Sequence, residues 1–297
     1  MTRRYIPLLT LLSLLWGASY VFIKVAGREL QPAPMMLARI VVAAVVLLAF
    51  LWWRGELGGL RAPIGAYALG LFNSAIPFTL IAWGERHIDS GLAAIANASV
   101  PIWVALLAVK WRPGERSTGA RAVGILLGLA GVAVLTGAAP GGGWWGIAGT
   151  LAVVLASVSY AISTLYGQRL IAGLSGPVLS TTALLGGGVV LVPLAVVQAP
   201  EDLPSVKATS CVLALALLGT AAGQLVWFRL LRGYGSARAS LVTYLLPVTA
   251  LLYGVVLLDE PITVPALLGL ALILGGVALG SGAVPLTRRE RTVPQAP

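Results

Sequence analysis

The chain has 297 residues, 58% of them apolar and only 10% charged, with a formal net charge of +10 and a mean hydropathy of +0.93. That balance lies outside the range of water-soluble domains. One cysteine, Cys211, excludes an internal disulfide framework, and one histidine, His87, excludes a histidine-built metal site, so no metal and no cofactor is expected.

A helix that crosses a bilayer needs about 20 mostly apolar residues at 1.5 Å rise each. Ten such runs follow one another, at 5–25, 34–53, 63–83, 90–110, 119–138, 144–166, 176–197, 207–229, 236–257 and 263–283. The first follows Arg3 and Arg4 as a secretory leader would, but it continues to about Val25 without a small-residue cleavage site and reads as a span. It places Trp16 and Tyr20 one helical turn apart, with Ser19 beside them. The second holds Arg39, the one basic residue well inside a run, and the third pairs Asn73 with Pro77 at the same spacing. Asn97 and Pro101 form such a pair in the fourth; Asn97-Ala98-Ser99 matches a glycosylation triplet but lies in mid-membrane and is set aside.

The fifth run carries Gly124-x-x-x-Gly128 and the tenth Gly276-x-x-x-Gly280, small-residue faces that let helices pack closely. They read as peripheral supports that hold the two halves of the chain together and not as cavity walls; they leave room for a dimer, although a monomer is expected. Gly141 to Gly143 form a flexible joint, since neither a strand nor a following Lys-Ser/Thr makes them a phosphate loop. The sixth run pairs Tyr160 with Thr164, the eighth Gln224 with Trp227 and the ninth Tyr244 with Pro247. Trp52, Trp53, Trp111, Trp144 and Trp145 fall at run ends, where indole rings anchor at the membrane interface.

Basic residues in short loops stay on the cytoplasmic side. With the amino terminus inside, fifteen of the twenty Lys and Arg, from Arg3 and Arg4 to Arg288, Arg289 and Arg291, fall on inner segments. Seven of the ten acids, Glu29, Glu85, Asp89, Glu201, Asp202, Asp259 and Glu260, fall outside. Both termini are therefore expected in the cytoplasm. The excess of positive charge is a topology signal scattered over membrane-edge loops, and it excludes a nucleic-acid groove.

The chain also repeats itself. Ser19-Tyr20 and Gly27 align with Ser159-Tyr160 and Gly167 at an offset of 140, and Ser90 and Pro101 with Ser236 and Pro247 at 146. Glu115, Thr118, Gly124 and Gly131 align with Glu260, Thr263, Gly269 and Gly276 at 145. Residues 1–140 and 141–285 then form two halves of five spans, followed by a tail at 286–297. An odd number of crossings turns the second half upside down, so the expected fold is all-α integral membrane, ten transmembrane helices as two inverted five-helix repeats. That is the architecture of alternating-access carriers, with substrate bound near the midplane.

The run Leu15-Trp16-Gly17-Ala18-Ser19-Tyr20, the lone Arg39, the Pro101 and Pro247 spans, the turns at Glu115 and Glu260 and the glycine-rich fifth and tenth spans together resemble the drug/metabolite transporter superfamily, and within it the EamA-type ten-helix carriers. The resemblance covers essentially the whole chain. It implies a bacterial inner-membrane exporter of small metabolites, amino acids foremost. It also brings out a departure: the four-helix multidrug members use a membrane-embedded acid in their first span, where this chain has Trp16, Ser19 and Tyr20. Without a midspan carboxylate, facilitated movement down a gradient is expected.

The substrate site is expected between the first, third, fourth, sixth, eighth and ninth spans. Trp16, Tyr20, Tyr160, Trp227 and Tyr244 would bury an apolar side chain, Ser19, Asn73, Asn97, Thr164 and Gln224 would supply polar contacts, Pro77 would line the same face as Asn73, and Pro101 and Pro247 would free backbone carbonyls. Arg39 has three readings: a ligand for a substrate carboxylate, a gate paired with Glu85 or Asp89, or a side chain snorkelling to headgroups. Taken singly, each polar residue is equally well read as tying helices together. Sugar phosphates fit less well, because Arg39 alone is a poor dianion site. An enzyme lacks a cluster of nucleophile, base or metal groups, and a channel lacks a ring of like groups.

Overall fold

The structure is a computed structural model and describes residues 5–111, 119–136, 143–170 and 173–280. The tail at 286–297, the turn at Glu115 and the first two glycines of the joint at Gly141 lie outside the described residues. Lipid offers no hydrogen-bond partner to a backbone, so each apolar run satisfies its own N–H and C=O groups by coiling. Among the described residues the result is helical throughout, without a strand.

Helix α1 covers Tyr5–Ala26 and α2 Pro32–Trp53. The third run is composite: α3 (Ile64–Gly70), a π-helical segment (Leu71–Ala75) and α4 (Ile76–Gly84). The fourth breaks at Ala98 and Ser99 into α5 (Ser90–Asn97) and α6 (Val100–Trp111). Then come α7 (Ala120–Thr136), α8 (Trp144–Leu170) and α9 (Gly176–Val197). The eighth run repeats the composite pattern, with α10 (Val206–Ala214), a π-helical segment (Leu215–Ala222) and α11 (Gly223–Tyr234). The ninth breaks like the fourth, into α12 (Ser236–Ala239) and α13 (Val242–Leu258), and α14 (Val264–Gly280) closes the order.

Seven stretches are long and apolar enough to cross a bilayer: Tyr5–Ala26, Pro32–Trp53, Ile64–Gly84, Ser90–Ala108, Trp144–Gln168, Gly176–Val197 and Val206–Tyr234. The fifth, ninth and tenth expected spans appear as shorter apolar helices, Ala122–Thr136, Val242–Leu258 and Val264–Leu279. The outer shell is apolar, as in Val189, Val197, Leu126 and Val256, while Ser13, Arg39, Ser99, Ser157 and Thr181 are buried. This inside-out distribution suits lipid and would aggregate in water. Trp52, Trp53, Trp144 and Trp145 are all more than half exposed, as membrane-interface anchors are; the Trp111 side chain lies outside the described residues.

Close helix contacts are made at glycines. A Cβ on Gly276 would stand 2.5 Å from the Gly124 carbonyl oxygen and 2.7 Å from the Gly128 nitrogen, so the glycine faces of α7 and α14 meet each other within the chain. The small-residue chemistry expected of these two helices thus joins the first half to the second.

Candidate functional site

The interior of the bundle is built around Arg39. It is only 7% exposed, and its Nε donates to Thr220 Oγ1 at 2.7 Å while its guanidinium carbon lies 3.8 Å from the centre of the Phe78 ring. Thr220 sits inside the second π segment and Phe78 just after the first, so one α2 side chain touches both irregular helices. Pairing with Glu85 or Asp89 is not formed: the one ion pair among the described residues is Arg54 with Glu56, on the surface. A buried guanidinium on an aromatic face with a hydroxyl acceptor is held in place and still carries its charge.

The first π segment runs up to α4, which has Pro77 in its first turn. A π turn bonds each carbonyl to the N–H five residues on, and for Phe72 that residue is Pro77, which has none. The Phe72 carbonyl accepts instead from Ser159 Oγ at 3.0 Å, and Ser163, one turn along α8, donates to Asn73 Oδ1 at 3.2 Å. In the second π segment the Thr220 hydroxyl bonds the Leu215 carbonyl at 3.2 Å. The freed carbonyl expected at Pro101 is a correction: Pro101 lies in the first turn of α6, just after the break, where its missing N–H would have had no partner anyway.

Asn97 ends α5 at that break. Its Nδ2 donates to the Tyr20 hydroxyl at 2.9 Å and its Oδ1 accepts from Ser157 at 3.2 Å, tying α1, α5 and α8 together. Tyr20, Tyr160 and Arg39 lie close enough to act on one another electrostatically. The structure therefore brings Tyr20, Arg39, Asn97 and Tyr160 together, with Asn73 and Pro77 on the neighbouring helix. Tyr244 packs on the same core, and Pro247 is buried on α13.

The remaining expected residues are placed apart from this cluster. Trp16 and Trp227 pair with ring centres 5.7 Å apart inside a second apolar cluster with Leu9, Leu12, Leu230 and Val242, so the five aromatic walls divide into two groups. Gln224 accepts from Ser180 at 3.2 Å, Ser19 bonds the Leu15 carbonyl of its own helix at 3.1 Å, and Thr164 is exposed and bonds the Tyr160 carbonyl at 2.8 Å. Thr220, Phe78, Ser157 and Ser163 were not singled out from the sequence, and Ser159 only through the repeat. The serines at 157, 159 and 163 on α8, polar within an apolar run, were the available signal.

One end of the bundle, expected to be outside, gathers the acids and is stitched between the halves. Glu260 Oε1 accepts from the Ser90 N–H at 2.8 Å, and its Oε2 from the Ser90 hydroxyl at 2.7 Å and the Gly91 N–H at 3.1 Å. Glu29 accepts from the Ser205 N–H and hydroxyl at 2.9 and 2.7 Å, bonds that hold its carboxyl below the usual range. Gln198 accepts from the Ala33 N–H at 3.1 Å, and Arg86 donates to Gln31. At the opposite end the Tyr5 hydroxyl donates to the Arg238 carbonyl at 2.9 Å.

Known proteins fit this architecture. The EamA-like transporter family matches the chain twice, over residues 3–137 and 147–281. The inner membrane transporter YedA of Escherichia coli is 30% identical over 289 residues, covering 93% of this chain and 91% of its own. A Streptantibioticus cattleyicolor protein named "Probable terminal-alkyne amino-acid exporter" is 30% identical over 295 residues, covering 94% of both chains. A solved crystal structure, 21% identical, shares the fold with a TM-score of 0.68 over 92% of this chain and 95% of its own. Matched by one family in both halves and by full-length relatives along nearly all its length, the chain belongs to the EamA-like transporter family and is a multi-pass membrane transporter.

Proposed function

We propose that the protein exports small metabolites, amino acids foremost, by alternating access between two inverted five-helix halves that together make ten spans, with both termini cytoplasmic. The observation that carries this reading is Arg39: a charge buried in the bundle interior and held between helices of both halves, beside Tyr20, Asn97 and Tyr160. A guanidinium there offers a carboxylate a bidentate partner, and the surrounding rings offer a side chain an apolar wall. The relative named as an amino-acid exporter supports the same substrate class. Matching irregularities in the two halves, a π segment in the third and eighth runs and a break in the fourth and ninth, support the repeat. Movement is facilitated and follows the substrate's own gradient.

Purified protein in vesicles loaded with one amino acid should take up other labelled amino acids by saturable counterflow. Arg39→Ala should lower uptake by at least tenfold and Arg39→Lys by less, with both variants as stable in detergent as wild type to within about 1–2 kcal/mol. Counterflow of sugar phosphates with none of amino acids would replace the substrate class, and non-saturating flux would replace the carrier by a pore.

A further inference from the structure

Glu85 follows the last residue of α4, at the acidic end of the bundle. It is 2% exposed, and neither carboxyl oxygen has a hydrogen-bond partner among the described residues. It borders a cleft of about 150 Å³ lined by Ile23, Lys24, Gly27, Arg28, Ala82 and Arg86 as well as Glu85 itself. The obvious counter-ion is engaged elsewhere: Lys24 donates to the backbone carbonyls of Glu85 and Ile88 at 2.6 and 2.7 Å and forms no ion pair with the carboxyl. We infer that Glu85 is a proton-binding site of the carrier, filled while the acidic end is closed and emptied when that end opens to water.

The competing terms favour the proton. A carboxylate removed from water with nothing to bond is among the costliest groups to bury, whereas the neutral acid loses far less. Burial accordingly pushes the Glu85 carboxyl well above the usual carboxylate range. Lys24 on α1 and Arg39 on α2 oppose this, and Glu260, on the turn before α14, adds to it. Tyr20 on α1 also lies within electrostatic reach, and it is neutral, as is Tyr160 on α8. Beside it in sequence, Arg86 is exposed, His87 is held below its usual value by desolvation and then Arg86, and Asp89 is pushed up by burial and then Glu260. The acidic end thus holds more protons closed than open. Closure strengthens as pH falls and weakens as pH rises through the Glu85 titration. The proton gates the carrier and does not have to cross it.

The test needs no substrate, so its outcome is separate from the export reading. Infrared spectra of the purified protein at neutral pH should contain a protonated-carboxyl band that Glu85→Gln removes and Glu85→Asp shifts. In a Cys211→Ser background, Ala82→Cys should react slowly with an impermeant maleimide at neutral pH. Its rate should climb on alkalinisation beyond that of a free thiol, by up to about tenfold per pH unit for one proton, and E85Q should flatten that excess. A carboxyl band unchanged in both E85Q and E85D, or a labelling profile that E85Q leaves intact, overturns the proposal. Should E85Q fail to fold, the E85D spectrum decides alone.

Discussion

Asn97 shows how a single amide can define a site. It is a half-buried amide that both gives and accepts, joining the Tyr20 hydroxyl to Ser157 where a helix has just ended. Removing it leaves two polar groups without that partner in a setting where water is scarce. Asn97→Ala should therefore lower stability in detergent by about 1 kcal/mol, near the middle of what interhelical hydrogen bonds contribute in membranes. In the Tyr20→Phe background the same substitution should cost measurably less, because the two residues share the bond. Thermal unfolding of the four proteins in one detergent reads this directly. If the two effects simply add, the amide and the phenol are independent and the ordering role assigned to Asn97 is wrong. The sequence pointed to Asn97 and Tyr20 singly but not to their bond, since pairing across 77 positions depends on how α5 stops and α1 tilts.

At the scale of helices, hydropathy located the runs because burial in lipid is a property of composition. It did not locate the irregularities, where individual backbone carbonyls take side-chain partners: Phe72 accepts from Ser159 and Leu215 from Thr220. Likewise Pro101 read as a proline inside a span, freeing a carbonyl, when it lies in the first turn of α6. Glycine spacing was legible as packing, and the partner was not. The contact of α7 with α14 gives a sharp comparison on one helix. A methyl at Gly276 would meet Gly124 and Gly128 backbone, which cannot rotate away, whereas at neighbouring Gly275 it would meet only a Leu127 side-chain carbon at 3.5 Å. Gly276→Ala should cost about 1–3 kcal/mol by overpacking and Gly275→Ala nearly nothing. Equal melting temperatures for the two variants would mean that α7 and α14 do not meet through this face.

For the whole molecule, the question is what holds the acidic end shut. Glu260 reaches across from the second half to the first turn of α5, where a helix presents unpaired N–H groups and a partial positive charge. Its removal should loosen that turn selectively. Glu260→Ala should speed hydrogen–deuterium exchange of the α5 amides by about tenfold, the equivalent of a lost N-terminal cap of about 1–2 kcal/mol, while α9 exchanges as before. Uniform acceleration would show general destabilisation and no latch. The two π segments, one in the third run and one in the eighth, are a second feature shared by both parts of the chain. Each bonds its carbonyls to N–H groups five residues on instead of four, so a shift of that bonding along the helix would re-aim the side chains beyond it while both helix ends stay where they are. Arg39 rests on Phe78, just past one segment, and on Thr220, within the other. A force on its guanidinium would therefore reach both irregular segments at once, one in each family-matched stretch of the chain.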